Sequence, residues 1–141
     1  MTAAELLRYQ LDDVGFQLTK CFEPMGDAQL DTKLSKQGMT PRETIEHLCE
    51  AYEACLSGFE GKKWEWGAYS IEDKSKENLI ETLRQTRERA VAAATSGEGD
   101  KRLKEGHAYI LAHDAYHVGQ LCLINLMTMP DWDPYSIYNF E

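Results

Sequence analysis

His113 and His117 stand four residues apart in the stretch HDAYHVGQL. On a helix, two imidazoles at that spacing project from one side a turn apart and can reach a single cation. The same spacing also suits two core histidines that each satisfy a hydrogen bond. A third histidine, His47, belongs to TPRETIEHL and lies in line with Ala51, Ala54 and Gly58. Small side chains beside an imidazole leave a groove, and a groove containing a histidine is a candidate pocket. The bulky apolar arc of that helix is centred roughly 120° away. His47 therefore borders the acidic face formed by Glu43, Glu46, Glu50 and Glu53, a position that also suits a partly exposed histidine with no role.

Four helices are needed to position these residues. Leu7, Leu11, Val14, Leu18 and Phe22 form one apolar stripe and predict a first helix of about 20 residues. Pro24, Gly26 and the polar run to Gly38 then predict a long loop. Thr40 as N-cap, Pro41 as first helical residue and Glu43 as capping-box partner fix the start of the second helix. Its apolar arc is Ile45, Leu48, Tyr52, Cys55, Leu56 and Phe59, and Gly58 and Gly61 mark its end.

The connection from Glu60 to Lys74 has no helical period. Extended, it could run roughly 50 Å, farther than a 20-residue helix is long, so the second and third helices need not be antiparallel neighbours. Ser75 is a candidate cap for the third helix, with Leu79, Leu83, Thr86, Ala90 and Ala93 inward and SGEGD ending it. The fourth helix is predicted from near Leu103 to about Met129, stopped by Pro130. At about 100° per residue from His113, the residues His117, Gln120, Tyr109, Tyr116, Ile124 and Met127 fall within about 60° and read as one inward stripe. The aromatic tail, with Trp132, Tyr135, Tyr138 and Phe140, is expected to be tied onto the bundle end. The whole reads as one all-α domain, residues 1–141.

The formal charge is −9, and basic residues form only short pieces such as Lys62-Lys63 and Lys101-Arg102. That leaves no footprint for a nucleic-acid backbone or an anionic membrane. Nothing resembles a signal peptide, and no apolar run nears the roughly 18 residues of a membrane span, so a cytoplasmic protein is expected. Cys21, Cys49, Cys55 and Cys122 form no CxxC and are expected to stay reduced, as small hydrophobes with no cation nearby to lower a thiol pKa.

TPRETIEHL followed much later by HDAYHVGQL resembles the DinB/YfiT-like family of four-helix metalloproteins, which includes thiol-dependent S-transferases. The resemblance implies an up-down-down-up bundle, for which the long 1–2 and 2–3 connections leave room. It implies a divalent ion held by His47, His113 and His117, with Zn²⁺ and Ni²⁺ both suited to imidazole. Three neutral imidazoles leave the ion's charge uncompensated and a coordination position open, so such a centre acidifies a water or thiol. In the family's transferases a low-molecular-weight thiol is thereby added to a small electrophile. Glu50 and Asp114, each three residues from a histidine, are candidates to orient the imidazoles, or else ordinary surface charges. Gln120 and Tyr116 face the site and could contact substrate or water, or simply pack in the core.

Other readings of the same residues remain. HDAYH differs from the zincin H-E-x-x-H by Asp114, which is one methylene short of the general-base position, and no strand is predicted to align a peptide. A ferritin-like di-iron site would need Glu-x-x-His pairs, which are missing. A non-enzymatic metal-binding or stress-associated bundle with a structural ion is the main rival. The far side of the fourth helix, Leu111, Ala115, Val118, Cys122 and Leu126, is also apolar, and this predicts a homodimer through that helix.

Overall fold

A reciprocal cap starts the first helix. Thr2 Oγ1 accepts the Glu5 amide at 3.1 Å, and the Glu5 carboxylate accepts the Thr2 amide at 2.6 Å. The structure is a computed structural model describing residues 1–97 and 99–140. In it α1 spans Ala3–Phe22, and its whole expected stripe, Leu7 to Phe22, is buried. The following loop is not structureless. Gln29 Oε1 accepts the Gly26 amide, and one turn, α2 (Asp27–Leu30), forms with Leu30 buried. Arg42 then ties Asp27 and Asp31 to the next helix.

That helix, α3, spans Pro41–Phe59, with Thr40 and Glu43 forming the expected capping box. Ser75 accepts the Asn78 amide and caps α4, Lys76–Ser96. The inward residues of α4 are Leu79, Leu83, Thr86, Ala90, Val91 and Ala94, whereas Ala93 is half-buried. A step of four to Ala94, rather than three to Ala93, keeps the stripe on one side of the helix. The SGEGD stretch expected to end this helix includes Glu98, which lies outside the described residues.

The C-terminal rod begins three residues before the expected Leu103. It comprises α5 (Asp100–Gly106), a π-helical segment (His107–Leu111) and α6 (Ala112–Thr128), joined through right-handed helical backbone. The Ala112 amide reaches five residues back to the His107 carbonyl, the mark of the widened turn. The inward arc of the rod also differs from expectation. Ile110, Asp114, His117, Val118, Leu121, Ile124 and Asn125 are buried, whereas Tyr109, Tyr116 and Met127 are exposed. This arc is centred roughly 80° round from His113. The reason is topological: the histidines lie at the edge of the rod facing α3, while its centre faces α1.

Cross-helix bonds fix the direction of each helix. Arg8 pairs with Glu88 and Lys76 binds the Glu23 and Met25 carbonyls, so α1 and α4 are antiparallel. Arg42 binds the Lys74 carbonyl and Arg89 binds Glu53, so α3 and α4 are parallel. Asn125 donates to the Cys21 carbonyl while Leu7 packs beside Gly106, so α1 and the rod are parallel. The order is up-down-down-up. Parallel α3 and α4 require the 60–74 connection to run the length of the bundle, and the acidic face of α3 pins it there. Glu50 Oε1 accepts Trp64 Nε1 at 3.2 Å and the Gly67 amide at 2.7 Å, and Glu46 holds the Ile71 amide and Lys74. We call this segment the strap.

A 3-10 turn at Pro134–Ile137 lies on α1 and attaches the tail through buried Ile137 and half-buried Trp132. Tyr135, Tyr138 and Phe140 are exposed and pack ring to ring. Among the described residues no helix is long and apolar enough to cross a membrane.

Candidate metal centre

Helix α3 and the rod run antiparallel, and where they meet they bring three imidazoles together. His113 Nε2 lies 2.9 Å from His47 Nε2 and 3.1 Å from His117 Nε2. The three rings are mutually edge-on, with centroids 4.7 to 5.2 Å apart. Ligand nitrogens about 2.0–2.1 Å from one ion, at tetrahedral or octahedral angles, stand roughly 2.9–3.4 Å apart. Three neutral rings have too few ring protons to bond one another at these nitrogens while also donating outward. The donor set and its spacing fit one divalent cation.

Two of the rings have their other nitrogen engaged. His117 Nδ1 donates to Gln120 Oε1 at 2.8 Å, and Gln120 Nε2 donates in turn to the Tyr116 hydroxyl at 3.2 Å. The His117 proton therefore sits on Nδ1, and Nε2 carries the lone pair. His113 hydrogen-bonds the backbone carbonyl of Tyr109, inside the π-helical segment. Burial lowers the pKa of all three imidazoles, and the like charge of neighbouring rings lowers it further for His47 and His117. His117, the most enclosed, falls to about 4. At neutral pH each ring is the neutral form that a metal needs.

Beneath the trio is a polar clamp that joins all four long helices. Asp114 is fully buried. Its Oδ1 accepts from the Tyr52 hydroxyl at 2.5 Å and its Oδ2 from Arg87 Nε at 2.9 Å, and Arg87 Nη2 donates to the Leu11 carbonyl at 2.6 Å. The guanidinium reaches Leu11 by passing over Gly15, where a Cβ would lie 2.5 Å from Nη1. Because Asp114 lies between the two histidine positions, the clamp fixes the rotation of the rod that aims both rings at His47.

Beside His113 a groove of about 400 Å³ opens, lined by Ala51, Ala54 and Gly58 of α3, Tyr109 of the rod and Trp64 and Trp66 of the strap. Lys62 and Glu105 also line it. The small column foreseen next to His47 forms its floor, and a Cβ on Gly58 would meet open space. Trp64 is held over the groove by Glu50.

The structure thus brings His47, His113 and His117 together and gives the other candidates different work. Glu50 binds the strap rather than an imidazole. Asp114 is neither a surface charge nor a histidine partner but the centre of the clamp. Gln120 orients His117, and Tyr116 is exposed, with its ring edge-on to His117 at 5.1 Å. Tyr52 is inward, as its place in the apolar arc predicts, but its hydroxyl's bond to Asp114 does not follow from that arc, and neither do the roles of Arg87 and the strap tryptophans. The available signal was an arginine one residue past the buried Thr86, with a lone aspartate to match it between two histidines. The cysteines are free, and burial pushes the Cys49 and Cys55 thiols up to about 12, away from nucleophilic reactivity.

The family model described as the DinB superfamily matches residues 10–121, a span that includes the three histidines of the site, His47, His113 and His117. No curated protein and no solved structure matches the chain.

Proposed function

The chain belongs to the DinB superfamily, and from that premise we propose that it is a metal-dependent enzyme in which His47, His113 and His117 hold one divalent ion, Zn²⁺ or Ni²⁺. Its reaction is the addition of a small thiol or water to an electrophile. The observation that carries this reading is the groove that reaches His113 itself. A purely structural ion has no use for an open approach lined by aromatic rings and kept clear by a helical glycine.

When bound, a divalent ion among neutral imidazoles keeps its full charge and lowers the pKa of a water or thiol at its remaining position. The residues of the chain do the rest. Gln120 holds His117 in the tautomer that presents Nε2. The clamp holds His113 and His117 in register with His47. Trp64, Trp66 and Tyr109 offer flat apolar surface to the body of a small electrophile and exclude water from it. Lys62 and Glu105, among the groove's lining residues, can meet polar groups of the thiol or electrophile.

The test is metal content by mass spectrometry on the protein as purified, beside the His113→Ala, His117→Ala double variant. About one equivalent per chain is expected in the wild type and none in the variant. Unchanged stoichiometry would remove the site. The metal-loaded protein is then assayed for thiol-dependent loss of an electrophile such as an epoxide, which opens as the sulfur adds to carbon and the thiol proton passes to the oxygen. A tightly bound ion whose removal lowers only the melting temperature, with no turnover, assigns the ion a structural role instead.

A further inference from the structure

The outer face of the C-terminal rod is apolar over nearly its whole length. Ala108, Ala112, Ala115 and Gly119 are exposed along it. Leu123, Leu126, Met127, Tyr109 and Tyr116 continue or flank the line and are between 47% and 64% exposed. This face extends for roughly 28 Å. It shares Ala115 and Leu126 with the face expected from the sequence, but the other three residues expected there turn inward: Val118 is buried and Leu111 and Cys122 are half-buried against the protein's own core. A chain of net charge −9 has ample charge to cover a helix face, yet from Ala108 to Met127 this one carries none.

Gly119 shows that the face serves something outside the protomer. Glycine weakens a helix interior, and proteins keep it there when another group must approach closely. Within the protomer nothing does, because a Cβ on Gly119 would meet no atom within 4 Å. The closeness that Gly119 permits is therefore toward a second molecule.

We infer that the second molecule is another copy of this chain, packed antiparallel about a two-fold axis between Ala115 and Gly119. The arrangement of side-chain sizes selects this partner and this direction. With Ala115 opposite the partner's Gly119, the residue Ala112 falls opposite the partner's Leu123, and Ala108 opposite the partner's Leu126. Each large side chain then meets a small one, and the two-fold repeats every pair. A parallel pairing would set Leu123 and Leu126 against themselves and leave the alanines facing a gap. The charges beyond the face agree with this direction. One end of the rod carries Lys101, Arg102 and Lys104 against Asp100 and Glu105, the last of which pairs with Lys101. The other end is followed by exposed Asp131 and Asp133, so an antiparallel pair brings a net positive end to a negative one on both sides. Tyr109 flanks the face and also lines the groove, so pairing sets a second copy at the groove's edge.

Sedimentation of the full chain at micromolar concentration is expected to give twice the 16.1 kDa chain mass. Gly119→Leu should leave helical content and metal content unchanged, since the protomer has room for the side chain, while weakening association at least about tenfold. Direction is tested with charges. Leu126→Lys should weaken the dimer, and adding Ala108→Glu to the same chain should restore it, because only the antiparallel pairing makes these residues neighbours. A wild-type protein that stays monomeric, whether free or adsorbed to lipid vesicles, overturns the proposal. So does a Gly119→Leu variant that still dimerises. A double variant no tighter than Leu126→Lys overturns the antiparallel direction.

Discussion

Arg87 and Asp114 form an ion pair, Nε to Oδ2 at 2.9 Å, in the interior of the bundle and one residue from His113. Asp114 has no exposure, and Arg87 side-chain exposure is 12%. Burial pushes the Asp114 carboxyl up, and the adjacent guanidinium opposes that shift. Removing one partner strands the other, so Arg87→Met should destabilise the protein by about 3–5 kcal/mol in denaturant titration. Arg87→Met with Asp114→Leu should cost less than the sum of the single changes. Strict additivity would show that the pair does not act as a unit.

Gly15→Ala should destabilise the protein although alanine is the better helix former by about 1 kcal/mol. Its Cβ would sit 2.5 Å from Arg87 Nη1 and 3.0 Å from Cζ, and the guanidinium cannot withdraw without releasing Asp114 or Leu11. In an Arg87→Met background the obstacle is gone and the sign should reverse. Equal effects in both backgrounds would refute the steric account.

Gln120→Leu should weaken metal affinity roughly 10- to 100-fold, the usual effect of removing the partner that orients a ligand. The fold should survive, because Gln120 is only half-buried. Tyr116→Phe removes one acceptor for Gln120 and should have a smaller effect. Competition with a chelator measures both, and a Gln120→Leu affinity equal to wild type would refute the role.

Metal-free protein should lose stability on acidification. The folded His117 value is about 4 against an ordinary 6.5. As pH falls, the unfolded chain therefore takes up its proton first. The contribution is fully present above about 6.5 and is lost as pH drops toward 4, on the order of 3 kcal/mol for this group. Thermal melts across that range should show a decline that His117→Gln flattens. An equal slope in the variant would mean that other groups cause it.

Helix positions and caps were legible because they depend on neighbours in sequence: Thr40 with Glu43, Ser75 with Asn78, and the α1 stripe. The up-down-down-up order was legible only through the family resemblance and the length of the connection before Ser75. The rotation of the rod was not legible. It is apolar nearly all round, so periodicity alone does not say which side faces α1, and a stripe through Tyr109, Tyr116 and Met127 reads as inward although these residues are exposed. The work of Asp114 was hidden for a related reason, since its partners Tyr52 and Arg87 lie on other helices and only the folded chain brings them near. Glu50 misled because a carboxylate near His47 fits either an imidazole or a strap, and the choice depends on where Trp64 lies.

The strap also gives the protein a spectroscopic reporter. Two of its three tryptophans, Trp64 and Trp66, line the groove beside His113. Indole emission is quenched by nearby open-shell ions and shifts in colour as water leaves its surroundings. Occupancy of the histidine trio by Ni²⁺, or arrival of a ligand in the groove, should therefore be readable in unlabelled protein, with Trp132 near the tail as an internal reference.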